Sequence, residues 1–165
     1  MDVSIINPLL TAFTEILPQL GFQSVERRKV SKIEAAFQYN GILLNISLFG
    51  TVKGAILFGM NVEAANKFAS KMMMGVPVTE LDAIAKSAIS EMGNIICANT
   101  CTQFTKIGIT DLDISPPTLM ISENGEATLP VPKSIVVNFL IDDIELNAYV
   151  SLINSWSSSG IKEIK

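Results

Sequence analysis

Apolar side chains recur along this chain with two different periods, and each change of period marks a new element. Between Thr79 and about Phe104, the residues Leu81, Ile84, Ala85, Ala88, Met92, Ile95 and Ile96 return every three or four positions. That spacing predicts a helix with one core-facing stripe. Pro77 bars a helix running in from before, Thr79 with Asp82 forms a capping-box pattern, and Gly108 marks the stop. A first helix is expected over 7–20, with Asn7 as cap, Pro8 at the first helical position and Pro18 kinking or ending it. One or two strands of mixed polarity occupy 24–38. Leu44, Ile46 and Leu48 then alternate with Asn45 and Ser47, and Gly50-Thr51 turns that strand into a more buried one from Lys53 to Met60. Asn61 caps a helix to Met74, closed by Gly75 and Pro77, with Met72, Met73 and Met74 as gap-filling core. Later, Ile109–Ser115 reads as a strand stopped by Pro116-Pro117, and Asn124-Gly125 as a tight turn between strands at 118–122 and 127–131. Ser134–Ile141 and Ile144–Leu152 flank Asp142-Asp143 as a hairpin, with Ile144, Leu146, Ala148 and Val150 inward and Glu145, Asn147, Tyr149 and Ser151 outward.

The order helix, strands, hairpin, helix is followed by helix, strands, hairpin. Phe13–Pro18 aligns with Ile89–Asn94, pairing Glu15 with Glu91 and Pro18 with Asn94, as in a diverged duplication. The expected architecture is α+β: one domain over 1–152, with pseudo-repeats of about 1–75 and 76–152 and long helices packed on one face of an antiparallel sheet. A C-terminal tail, 153–165, is expected to be loose or a marginal helix.

The side of the main helix opposite its apolar stripe carries Ser87, Glu91, Asn94 and Ala98, spaced four, three and four. At about 100° per residue these stack along one line. No Lys or Arg lies on that line, so it is not the usual salt-bridged solvent face. Gly93 in mid-helix costs about 1 kcal/mol against alanine. The space it leaves serves either an approaching partner or, more economically, a tightly packed neighbouring helix or strand. Asn99 is a second amide, but it falls at the end of the core stripe and is read as a buried group satisfied within the fold.

Composition narrows the chemistry. Apolar residues are 48% and charged residues 17% of the 165, enough for a real core and too apolar for disorder. The charge is −4, and the only basic cluster, Arg27, Arg28, Lys29 and Lys32, has no interleaved aromatics, so no nucleic-acid partner is expected. Low charge with so much apolar residue points to surface covered by a partner or second subunit. No apolar run is long enough for membrane insertion, and the N-terminus lacks the basic region of a secretory signal. With no histidine, Ser-His and Cys-His catalysis and most zinc sites are excluded. Cys97 and Cys101 read as small buried thiols in a reducing cytoplasm.

Ser87, Glu91 and Asn94, followed after twenty-one residues by Pro116, resemble the active-site pattern of the CheC/CheX/FliY phosphatases of bacterial chemotaxis. Glu-x-x-Asn alone is expected by chance roughly once in such a chain. A decoy stands at Glu63-Ala64-Ala65-Asn66, with Gly59 and Ala88 where Asp or Ser and Pro are required. Only the copy on helix 79–104 meets all four positions. The resemblance, strongest to the CheX branch, covers roughly 1–152. It implies a pseudo-duplicated fold, a homodimer in the cytoplasm, and a phosphorylated CheY-like response regulator as partner. It implies phosphatase activity in which Asn94 positions the attacking water and Glu91 pairs with the partner's active-site Lys. Ser87 would assist partner binding and Pro116 would support the motif. No cofactor of its own is implied; Mg2+ is expected in the partner. The single good motif, with Pro18 opposite Asn94 in the first half, implies one active centre per chain. A non-catalytic module that docks a response regulator or a flagellar motor component stands as the alternative.

Overall fold

A computed structural model describes residues 3–154. The chain opens with a 3-10 turn, Val3–Ile6, then α1 over Asn7–Ile16 and a second 3-10 turn, Leu17–Leu20. Asn7 is therefore the first helical residue rather than its cap: Ile6 holds that place without any side-chain bond, because the preceding turn already supplies helical backbone. Pro18 ends α1 as its missing N–H requires.

Strand β1 runs unbroken over Val25–Gly50 and turns into β2, Val52–Met60. Helix α2 spans Val62–Met72, and Asn61 does cap it, its Oδ1 accepting the Ala64 N–H at 2.7 Å. Met72 and Met73 are half-buried, but Met74 is 96% exposed; its backbone has turned to positive φ, carrying the side chain away from the core. Helix α3 spans Ala83–Lys106 and begins four residues later than expected. Asp82, not Thr79, is the cap, accepting the Ala85 N–H at 2.9 Å, while the Thr79 carbonyl instead accepts from Asn66 Nδ2.

Strand β3 is short, Leu112–Ile114, since Gly108 and Asp111 both take positive φ before it. Strand β4 is continuous over Thr118–Ile141, and β5 covers Ile144–Asn154. Asn124-Gly125 makes no turn. Gly125 stays in the strand opposite Tyr39, where an added Cβ would meet the Tyr39 ring at 2.2 Å. The glycine makes room for an aromatic ring, and the long partner strand holds the backbone extended. Strand β5 reaches Asn154, two residues into the expected tail; 155–165 lie outside the described residues.

The antiparallel sheet runs β2-β5-β4-β1-β3, and β1 also pairs with β2. The pairings β1–β2, β2–β5, β5–β4 and β4–β1 thus form a circuit, which the great length of β1 and β4 permits. Helices α1 and α3 pack together on one face over Phe13, Leu44, Ile46, Phe58, Met92, Ile96 and Phe139, all buried. The opposite face is not all polar. Tyr149 and Ser151, expected to point outward, are buried there. Phe37 stacks on Tyr149 beside Leu43, Leu57 and Leu129, and Ser151 Oγ accepts the Val131 N–H and the Ser134 hydroxyl. A second, smaller apolar cluster lies here, so simple alternation misreads the two side chains.

Candidate active site

Helix α3 buries Ala85, Ile89, Met92, Gly93, Ile96, Cys97 and Phe104. The buried stripe is rotated from the expected one: Ala88 and Ile95 are only half-buried and Ile84 is exposed. Gly93 is central to it. A Cβ there would lie 2.3 Å from Leu44 Cδ2 and 3.2 Å from Ile46 Cδ1, so the glycine lets β1 approach the helix. The packing reading of Gly93 is the correct one.

Ser87, Glu91, Asn94 and Ala98 are all exposed, on the side away from the sheet. Glu91 and Asn94 open into one shallow groove of about 500 Å³, lined also by Ser90, Ile114, Ser115, Pro116 and Pro117. Its far wall is fixed. The Ser47 N–H donates to Ser115 Oγ at 2.9 Å, the Ser115 N–H donates to the Ser47 carbonyl at 2.9 Å, and Ile114 pairs with Leu48. Two prolines continue that wall with little backbone freedom. The structure therefore brings Glu91, Asn94 and Pro116 together across more than twenty residues of sequence. Ser87, one turn before Glu91, shares the helix face but does not line the groove. Ser90 and Ser115 do line it, and neither was singled out from sequence. Ser90 adjoins Glu91, which is its only signal; Ser115 has none apart from its place before the proline pair.

Among the described residues, neither the Glu91 carboxylate nor the Asn94 carboxamide has a side-chain hydrogen bond or an ion pair. On a well-formed helix, an acceptor-only carboxylate and a donor-acceptor amide one turn apart are thus presented to solvent unspent. The decoy pair differs. Glu63 and Asp143 both approach Lys67, at 3.9 and 3.2 Å, and Asn66 ties the α2–α3 connection at Thr79. In the first half, Glu15 Oε2 accepts from Gln103 Nε2 at 3.0 Å, and that amide also donates to Asn99 Oδ1 at 3.2 Å. Asn99 is half-buried and, as expected, bonded within the fold.

The cysteines offer no nucleophile. Burial and then the neighbouring Cys101 push the Cys97 thiol far up, and burial followed by Asp113 raises Cys101 to about 11. Cys97 is buried as expected, while Cys101 is half-buried. Among the described residues no group of three Cys, Asp or Glu side chains is placed to hold a metal ion, and no helix is long and apolar enough to cross a membrane. What the groove can do is position: it offers hydrogen bonds and one negative charge from a rigid element to something that approaches from outside.

The chain shows similarity to known proteins on both levels, sequence and fold. The sequence profile described as chemotaxis phosphatase CheX matches residues 42–140. The CheY-P phosphatase CheX of Thermotoga maritima is 28% identical over 120 residues, covering 73% of this chain and 77% of the relative. The crystal structure of a chemotaxis protein CheX from Desulfovibrio desulfuricans superposes with a TM-score of 0.80 at 16% identity, over 91% of this chain and 99% of that one. A CheX in complex with CheY, BeF3 and Mg2+ from Borrelia burgdorferi gives a TM-score of 0.72 at 22% identity, over 92% of this chain and 99% of that one. The helices on a five-stranded antiparallel sheet are those of CheC/CheX-like structures.

Proposed function

The chain belongs to the chemotaxis phosphatase CheX family, and on that footing we propose that it hydrolyses the aspartyl phosphate of a CheY-like response regulator. The observation that carries the residue assignment is the unspent Glu91–Asn94 pair facing the Pro116-Pro117 wall on α3.

An aspartyl phosphate is an activated acyl phosphate, and its transfer to water needs an in-line nucleophile more than covalent help. Asn94 supplies the position. Its carbonyl oxygen accepts a hydrogen bond from the water, and it does so at any pH near neutral because an amide does not ionise. The water oxygen bonds to phosphorus as the bond to the aspartyl oxygen breaks. The electron pair returns to the regulator's carboxylate, and the water's proton leaves with phosphate or to solvent. Positioning of this kind is worth up to about 7–11 kcal/mol in ideal intramolecular systems and less here. Glu91 faces the active-site Lys of the regulator, an ion pair formed only on docking, and Ser87 extends the contact one turn back. Mg2+ would be held by the partner and would offset the charge of its phosphoryl group; that a Borrelia burgdorferi complex of CheX with CheY contains BeF3 and Mg2+ supports this reading.

The chain acts in this reading as one domain with a single centre, as a cytoplasmic homodimer. Support for the dimer lies in the apolar, weakly charged composition and in two strand edges left open among the described residues. Over Val25–Glu34, β1 pairs with β4 alone, and over Thr118–Thr128, β4 pairs with β1 alone.

Phosphate release from phosphorylated regulators tests the assignment. Asn94→Ala should lose about 10²–10³ in rate, the usual cost of one preorganised group, with regulator binding nearly intact. Glu91→Ala should weaken docking. Glu15→Ala should stay within about twofold, since Glu15 bonds Gln103 away from the groove. Wild-type turnover in Asn94→Ala would refute the water-positioning role, and binding without any hydrolysis by the wild type would favour the docking module.

A further inference from the structure

Ile84 is 64% exposed in the first turn of α3, although its place in the apolar period assigns it to the core. The helix starts at Ala83, and Ala85, Ile89, Met92 and Ile96 fill the stripe that meets the sheet, which turns Ile84 to the other side. There it joins the line of Ser87 and Glu91, three and seven positions on, at about 10 Å from Glu91 along the axis for a rise of 1.5 Å per residue. Single exposed apolar residues are common and mean little alone. This one differs in its surroundings. The line it heads is otherwise Ser87, Glu91, Asn94 and Ala98, short side chains without a basic residue, so a partner's surface can come close to the helix along its length.

We propose that Ile84 is the apolar anchor with which α3 docks the response regulator, setting affinity for the regulator rather than the speed of hydrolysis. The proposal rests on the reading of the Glu91–Asn94 groove as the regulator's docking site, and it extends that site two turns towards the start of the helix. The occupant must present an apolar recess to Ile84 while its ammonium group meets the unpaired Glu91 carboxylate. Interfaces concentrate their binding energy in a few such desolvated anchors, and a lone carboxylate would fix register without supplying that area.

The test uses the full chain and CheY-like regulators loaded with BeF3− and Mg2+, a stable stand-in for the phosphorylated form, alongside turnover of the phosphorylated regulator. Ile107, 66% exposed at the far end of α3 and off the line, is the matched control. Ile84→Ala should raise Kd and KM about tenfold, equivalent to about 1.4 kcal/mol, with kcat unchanged and the folded signal intact by circular dichroism. Ile107→Ala should change neither. A Kd within twofold of wild type overturns the anchor, as does a fall in kcat at saturation, or equal weakening by Ile107→Ala. Loss of the dimer in Ile84→Ala on sedimentation assigns the residue to a second copy instead and also overturns it. If the wild type binds loaded regulators without hydrolysing, the phosphatase reading fails while the anchor is still judged on Kd. A wild type that binds no loaded regulator overturns both.

Discussion

Gly93 shows how a single position couples packing to the site. A mid-helix glycine gives up about 1 kcal/mol of helix propensity, and what it gains is contact between α3 and the fully buried Leu44 and Ile46. Gly93→Ala must force Leu44 Cδ2 out of a filled core, an overpacking cost of about 1–3 kcal/mol that outweighs the propensity gained. A net loss of about 1 kcal/mol is expected, read as a lower urea midpoint at unchanged slope. Asn94 follows directly on the chain, so a helix displaced from β1 also moves the amide relative to the proline wall. Turnover should fall along with stability.

Among the elements, the β4–β5 turn is held by one side chain. Asp142 takes positive φ, and its Oδ1 accepts the Gln23 and Ser24 N–H groups at 3.0 and 2.9 Å while Oδ2 meets Lys71 Nζ at 3.0 Å. Three connections, before β1, after β4 and at the end of α2, are thereby tied together. Desolvation pushes this carboxyl up, but the hydrogen bonds from Lys71, Ser24 and Gln23 and the Lys71 charge outweigh it, and its pKa is held below the ordinary value. The stabilisation is then fully present above the unfolded value of about 3.9 and is lost as pH falls through the lower folded value. Asp142→Asn keeps a side chain that tolerates positive φ and still accepts from Gln23 and Ser24, but it loses the ion pair. It should be less stable than wild type at pH 7, with the gap closing below about pH 4, as denaturant titrations across pH would show. From sequence, the hairpin about Asp142-Asp143 is legible because alternation flanks it. Its tether to residues 23 and 24 is not, since nothing local signals a bond across more than a hundred positions. The same distinction holds at the site. Glu91 and Asn94 are legible because helical spacing puts both on one face, and Pro116 because of the resemblance. Ser115 is not, because its role depends on β1. Ile84 misleads for a third reason: helix periodicity fixes relative angles, but the phase of the buried stripe is set by where the sheet lies.

At the scale of the molecule, the two long strands leave the outer edges of β1 and β4 open among the described residues, and the proposed homodimer is the natural cover for them. Equilibrium sedimentation at micromolar concentration should return twice the 17.8 kDa chain mass, and a monomer throughout would withdraw the dimer. The long β1–β4 pairing also has a kinetic side. Val25 faces Ile141 and Asn45 faces Thr118, so most of the bonds in this ladder join segments roughly a hundred residues apart. Closing such loops costs entropy before any contact repays it. The hairpins β1–β2 and β4–β5 and the helices form from near neighbours, yet none gains its full complement of partners until the distant strands meet. Folding is therefore expected on the slow side, milliseconds to seconds, gated by one long-range encounter. Until β4 has left the ribosome, the edge of β1 from Val25 to Asn45 that it covers waits unpaired, and that interval is when this protein is most exposed to aggregation.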